Sequence, residues 1–195
     1  MMEPALSWIP LVLLIASSLT LLISQNWRWS IIALAVLYLG MFWMITWQWS
    51  LGLAAVKLVT GWMAGAVLGV SQPGNALEET GFPRLPGRGF KVVTASLIWV
   101  LAFAIAPSLQ KFFPSETNYV LGAIILIGMG LLQLGMSHRP LRVILGLFTV
   151  LSGFELLYAA VENSVLVAGL ISGVNLGLAL AGAYLLVNPE EEETP

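Results

Sequence analysis

The chain has no cysteine, no aspartate and a single histidine among its 195 residues. Without cysteine it has no disulfide, no thiolate metal site and no cysteine nucleophile. With one histidine and no aspartate, the side chains that usually hold a metal or a haem are nearly missing, so no cofactor of that kind is expected. Charge is scarce as well: charged residues make up 9 % of the sequence, against about 25 % in soluble domains. So few charges cannot cover the surface of a water-soluble fold. Together with a net charge of −2, this excludes a soluble enzyme or a nucleic-acid binder.

Apolar sequence takes the place of charge. Hydrophobic residues account for 58 % of the chain, in stretches at 5–25, 28–47, 50–71, 91–110, 118–137, 141–161 and 164–187. About 20 residues at about 1.5 Å each match a hydrocarbon core of about 30 Å. The expected fold is therefore all-α, a polytopic membrane protein with seven transmembrane helices in one bundle over residues 1–189. The first stretch has Glu3 where a signal peptide would carry basic residues, and its apolar part exceeds a usual h-region. It is read as a retained helix. A loop at 72–90 and an acidic, disordered tail at 190–195 are all that remain, too little for an extramembrane catalytic domain.

The cations between these stretches are distributed unevenly. Arg28 lies in the first connection, Arg84, Arg88 and Lys91 in the third, and Arg139 and Arg142, with His138, in the fifth; the even connections hold only Lys111. Lysine and arginine are retained on the cytoplasmic side, so the odd connections face inward. The N-terminus is then outside, the C-terminus cytoplasmic, and the expected location the cytoplasmic membrane. Indoles favour the membrane boundary, which assigns Trp27 and Trp29 to the inner surface and Trp8, Trp47 and Trp49 to the outer. Trp43, Trp62 and Trp99 fall within helices and are read as packing residues rather than a quinone box.

The loop at 72–90 has three prolines and four glycines in 19 residues, which rules out a continuous helix. Its Glu78, Glu79, Arg84 and Arg88 read as a solvated face. Inside lipid, helices associate through close backbone approach. Gly61, Gly65 and Gly69 repeat every four residues in the third stretch, and Gly169, Gly173 and Gly177, with Ala181 beyond, do so in the seventh. Each set forms a groove for a neighbouring helix, in this chain or in another subunit. Pro107 near the end of the fourth stretch and Pro140 opening the sixth have boundary roles, and no helix interior is expected to contain proline.

Ionisable groups at membrane depth are costly and are usually paired or in contact with water. Only Lys57 and Glu155 qualify. Each lies six or seven residues from the outer boundary, about 10 Å in, so they are expected to face each other or share a pocket. Two roles stay open: a buried ion pair that fixes packing, and a proton relay. Asn175, Glu162 and His138 are candidate relay support. Gln133, Thr149, Ser152, Thr94 and Ser96 are expected mainly to bond neighbouring backbone.

Residues 134–157, Leu-Gly-Met-Ser-His-Arg-Pro-Leu-Arg-Val-Ile-Leu-Gly-Leu-Phe-Thr-Val-Leu-Ser-Gly-Phe-Glu-Leu-Leu, resemble the segment of hydrogenase-4 component E proteins in which a basic loop leads into a glycine-bearing helix. Lys57 in Ala-Ala-Val-Lys-Leu-Val is similar to the lysine of that family's third helix. The family resembles the K subunit of respiratory complex I and the C subunit of multisubunit cation/proton antiporters. The resemblance implies a non-catalytic membrane subunit of a larger redox-linked or antiporter-like complex that moves ions, surrounded by lipid and partner subunits. It also departs from the pattern. Where that family has a glutamate before Asn-Gly, this chain has Leu151-Ser152-Gly153 and its glutamate one turn later; Gly173 stands where an acidic residue is expected in the last helix. A structural or assembly subunit and a small stand-alone transporter are the alternatives, the latter weakened by the absence of helix-breaking prolines.

Overall fold

A computed structural model describes residues 4–72, 87–113, 117–137, 139–162 and 164–187, with side chains from residue 8 onward. All its regular elements are helices: α1 (Pro4–Ile23), α2 (Trp27–Ile45), α3 (Leu51–Val70), α4 (Arg88–Leu109), α5 (Thr117–Met136), α6 (Pro140–Val161) and α7 (Val165–Val187). Among the described residues, α2 to α7 are long and apolar enough to cross a membrane, and a shorter apolar stretch, Trp8–Ile23, precedes them. The protein is a helical, multi-pass membrane bundle. The acidic tail, His138 and most of the 72–90 loop lie outside the described residues.

The helices pack in two rows. α1, α2 and α3 form one row and α5, α6 and α7 the other; α1 faces α5, α2 faces α6 and α3 faces α7, while α4 lies against α1 and α5. The α5/α6 pair is the most extensive contact, because glycine lets the two backbones meet. A Cβ on Gly153 would sit 2.6 Å from the carbonyl oxygen of Ala123, and one on Gly130 would sit 2.8 Å from that of Gly146. Gly146 and Gly153 are seven residues apart, two turns on one helix face, a spacing that a search for four-residue glycine repeats passes over.

The third and seventh helices use their glycines differently. A Cβ on Gly61 would lie 2.3 Å from the Tyr38 ring, one on Gly69 would be 3.2 Å from Ile31, and one on Gly65 would make ordinary contact with Leu34 at 3.7 Å. That groove is filled by α2. Gly169, Gly173 and Gly177 have nothing within 4 Å, because α7 turns Ala168, Ser172, Asn175, Ala179 and Gly182 toward the bundle and leaves the glycine face exposed.

Two sequence expectations need correction. α4 begins at Arg88 rather than 91: the Lys91 amide bonds the Gly87 carbonyl at 3.2 Å, and the Lys91 side chain turns inward. Prolines do occur inside helices, Pro10 in α1 and Pro107 in α4; both lie within about two turns of an end, where few backbone bonds are lost. Trp62 packs against a neighbouring helix, but at the surface of the bundle. It is 49 % exposed, and its indole N–H donates to the Ala35 carbonyl across the α2/α3 contact at 3.2 Å.

Two cations anchor one end of the bundle. Lys91 Nζ donates to the Leu22 carbonyl at 3.0 Å and Arg142 Nη2 to the Ser24 carbonyl at 2.8 Å. Both side chains are buried. The carbonyls that end α1 have no intrahelical partner and carry the negative end of its dipole, so cations from α4 and α6 satisfy them and fix where α1 stops. Gln133 of α5 joins the cluster by donating to the Arg142 carbonyl at 3.1 Å. At the opposite end, the Trp49 indole donates to the Glu162 carbonyl at 3.0 Å and meets Tyr158 edge-on at 6.4 Å. Trp49 is thus buried at a bundle end rather than spread on the boundary, whereas Trp8 and Trp29 are exposed.

Candidate functional site

Between the two rows, where α2, α3, α6 and α7 meet, the apolar interior contains a charged cluster. Lys57 Nζ donates to Glu155 Oε1 at 3.1 Å. The same oxygen accepts from Asn175 Nδ2 at 2.7 Å. All three side chains are enclosed, with exposures of 1 %, 2 % and 1 % for Lys57, Glu155 and Asn175.

Helix geometry explains the meeting. α3 leaves the Trp49 end and Lys57 comes six residues after Leu51; α6 approaches that end and Glu155 comes seven residues before Glu162. At about 1.5 Å per residue both side chains fall about 10 Å from the same bundle end. Asn175 joins them from the inward face of α7. A lone ammonium or carboxylate here would bear a desolvation cost of several kcal/mol; as a charge-assisted pair with an amide donor, each group offsets part of the other's cost.

The cluster has acceptor capacity to spare. Among the described residues, Glu155 Oε2 and Asn175 Oδ1 are buried and accept no hydrogen bond. One turn toward the basic end, the Ser152 and Tyr38 hydroxyls are also buried and have no hydrogen-bond partner among the described residues. Buried polar atoms are nearly always satisfied, by protein or by ordered water, so four unpartnered oxygens on α2, α6 and α7 make this stretch of the interior unusually polar. The second carboxylate oxygen of Glu155 is the one on which a proton could be held.

The remaining sequence candidates are distributed as follows. Glu162 is exposed and caps the end of α6, with its amide bonded to the Tyr158 carbonyl at 3.0 Å. Thr149, Thr94 and Ser96 bond carbonyls four residues back in their own helices. His138 lies outside the described residues. Tyr38 was missed because an isolated tyrosine in an apolar helix looks like packing; the available signal was Gly61, whose missing side chain leaves room for a ring.

No family model, curated protein or solved structure matches the chain.

Proposed function

We propose that the protein is a seven-span subunit of a larger ion-translocating membrane complex, redox-linked or antiporter-like, in which it is not itself the catalyst. The N-terminus is outside, the C-terminus is cytoplasmic, and the membrane is the cytoplasmic one. The observation that carries the reading is the enclosed Lys57–Glu155–Asn175 cluster with an uncommitted carboxylate oxygen. Ionisable groups at membrane depth are rare and characteristically mark ion or proton pathways. The open glycine face of α7 supports the subunit part of the reading, since small residues at lipid-facing positions suit close approach of another helix. The resemblance of residues 134–157 to hydrogenase-4 component E proteins supports the kind of complex.

The tight pairing of Lys57 with Glu155 favours a second reading, a structural or assembly subunit whose ion pair fixes helix packing and conducts nothing. The experiment that tests the complex is native mass spectrometry of the tagged protein extracted in mild detergent. Antiporter-like subunits with iron–sulfur partners are the expected companions. A monomer or homo-oligomer, from membranes in which crosslinking before extraction also captures no partner, would overturn the proposal.

A further inference from the structure

We infer that Asn175 is the positioning residue that holds Glu155 in its protonated form, its Oδ1 accepting a hydrogen bond from the proton that Glu155 carries on Oε2. The inference rests on the relay reading above and names the two atoms between which that proton lies.

Asn175 Nδ2 donates to Glu155 Oε1 at 2.7 Å, and Lys57 Nζ donates to the same oxygen at 3.1 Å. Both donors are therefore spent on one end of the carboxylate. Its other oxygen, Oε2, and the other terminal atom of the amide, Oδ1, are buried and have no partner among the described residues. Two covalent bonds of about 1.2–1.3 Å each separate either oxygen from an atom of the Nδ2–Oε1 hydrogen bond, so the two orphans flank the same contact. The amide has to face this way round. Turned over, it would set Oδ1 against Oε1, two acceptors with no proton between them. Ser152 does not supply the missing donor, because its buried hydroxyl has no partner either and so does not reach Oε2.

An ionised carboxylate only accepts hydrogen bonds, and so does an amide oxygen. Oε2 and Oδ1 thus cannot bond each other while Glu155 is charged. One proton changes this. At equilibrium with water the carboxylate takes up a proton, forms an O–H bond at Oε2 and becomes neutral, and the new hydroxyl donates to Oδ1. The bond from Nδ2 to Oε1 is kept, so acid and amide meet through two parallel hydrogen bonds and both orphan oxygens gain a partner. The last torsions of Asn and Glu side chains are broad, so the two planes align without a change of rotamer. Lys57 keeps its own three protons, but its bond to Oε1 loses the carboxylate charge that strengthened it. Protonation therefore moves the strongest hold on Glu155 from α3, in the facing row, to α7, in its own row.

The test is infrared difference spectroscopy of the full chain in lipid vesicles during an equilibrium pH titration. The Glu155 carboxylic-acid band is assigned by its loss in Glu155→Gln. An acid that donates a hydrogen bond absorbs at lower wavenumber than one with no acceptor, so Asn175→Leu is expected to shift the band upward, while Ser152→Ala leaves it in place. A second reading needs no substitution at Asn175. With asparagine isotope-labelled at its side-chain carbonyl, a labelled band is expected to move to lower wavenumber in step with Glu155 protonation in wild type and to stay still in Glu155→Gln. An asparagine that served packing alone would move neither band. An unchanged Glu155 band in folded Asn175→Leu, or a labelled band that does not respond in wild type, would overturn the pairing and leave the relay standing. A Glu155 band that never appears over the pH range in which the protein stays folded would overturn the relay and the pairing together.

Discussion

Lys57 and Glu155 are each destabilising alone and tolerable together. Removing one partner of a buried pair strands the other charge, at a cost of about 3–5 kcal/mol, whereas replacing both with apolar groups of similar volume is close to neutral. Lys57→Met and Glu155→Leu are therefore each expected to lower stability in detergent by about 3 kcal/mol or more, and the double variant by much less than their sum. Thermal unfolding of the four proteins measures this; additive losses would contradict the contact. At this scale much was legible in sequence. Only two ionisable residues fell at membrane depth, and equal distance from one boundary put them at the same level. The role of Asn175 as a donor to Oε1 was only half legible, because an amide in an apolar helix gives no sign of its partner. Tyr38 was not legible at all. Lys91 and Arg142 counted as loop charges for orientation, and their burial against the carbonyls of Leu22 and Ser24 depends on where α1 ends, which no local pattern states.

The helices differ in how they use small residues. Four-residue glycine repeats marked α3 and α7 equally, yet the first groove is filled by α2 and the second is open. The closest backbone approach instead belongs to α5 and α6, through Gly130, Gly146 and Gly153. Spacing identifies a helix face, but only the arrangement of all seven helices decides what covers it. The consequence is a contrast between two equivalent changes. Gly153→Ala drives a methyl against the backbone of Ala123, which cannot yield as a flexible side chain would, and is expected to cost about 1–3 kcal/mol. Gly173→Ala meets open space in this chain and is expected to leave the stability of the isolated protein unchanged. Melting temperatures of the two purified variants decide between this assignment and one in which both grooves are packed internally.

Taken whole, the bundle is two facing rows of three helices with α4 beside them, and its buried charged groups lie where the rows meet or where α1 ends. Composition alone made the membrane character and the helical class readable, because so little charge leaves no other solvent for the surface. The pairing of α1 with α5, α2 with α6 and α3 with α7 was not readable, since apolar helices that present similar surfaces on every side do not specify neighbours by hydrophobic pattern. The rows place one charged cluster inside an otherwise apolar interior, and the central claim is that this cluster serves ion movement rather than packing. The most direct test is ion-coupled translocation by the complex purified from native membranes and reconstituted in vesicles, comparing wild type with the Lys57→Met/Glu155→Leu double variant. The double variant retains packing by the argument above, so failure to fold does not confuse the comparison. The account predicts a complex that assembles normally and has lost ion coupling; an assembled complex that couples at the wild-type rate would contradict it.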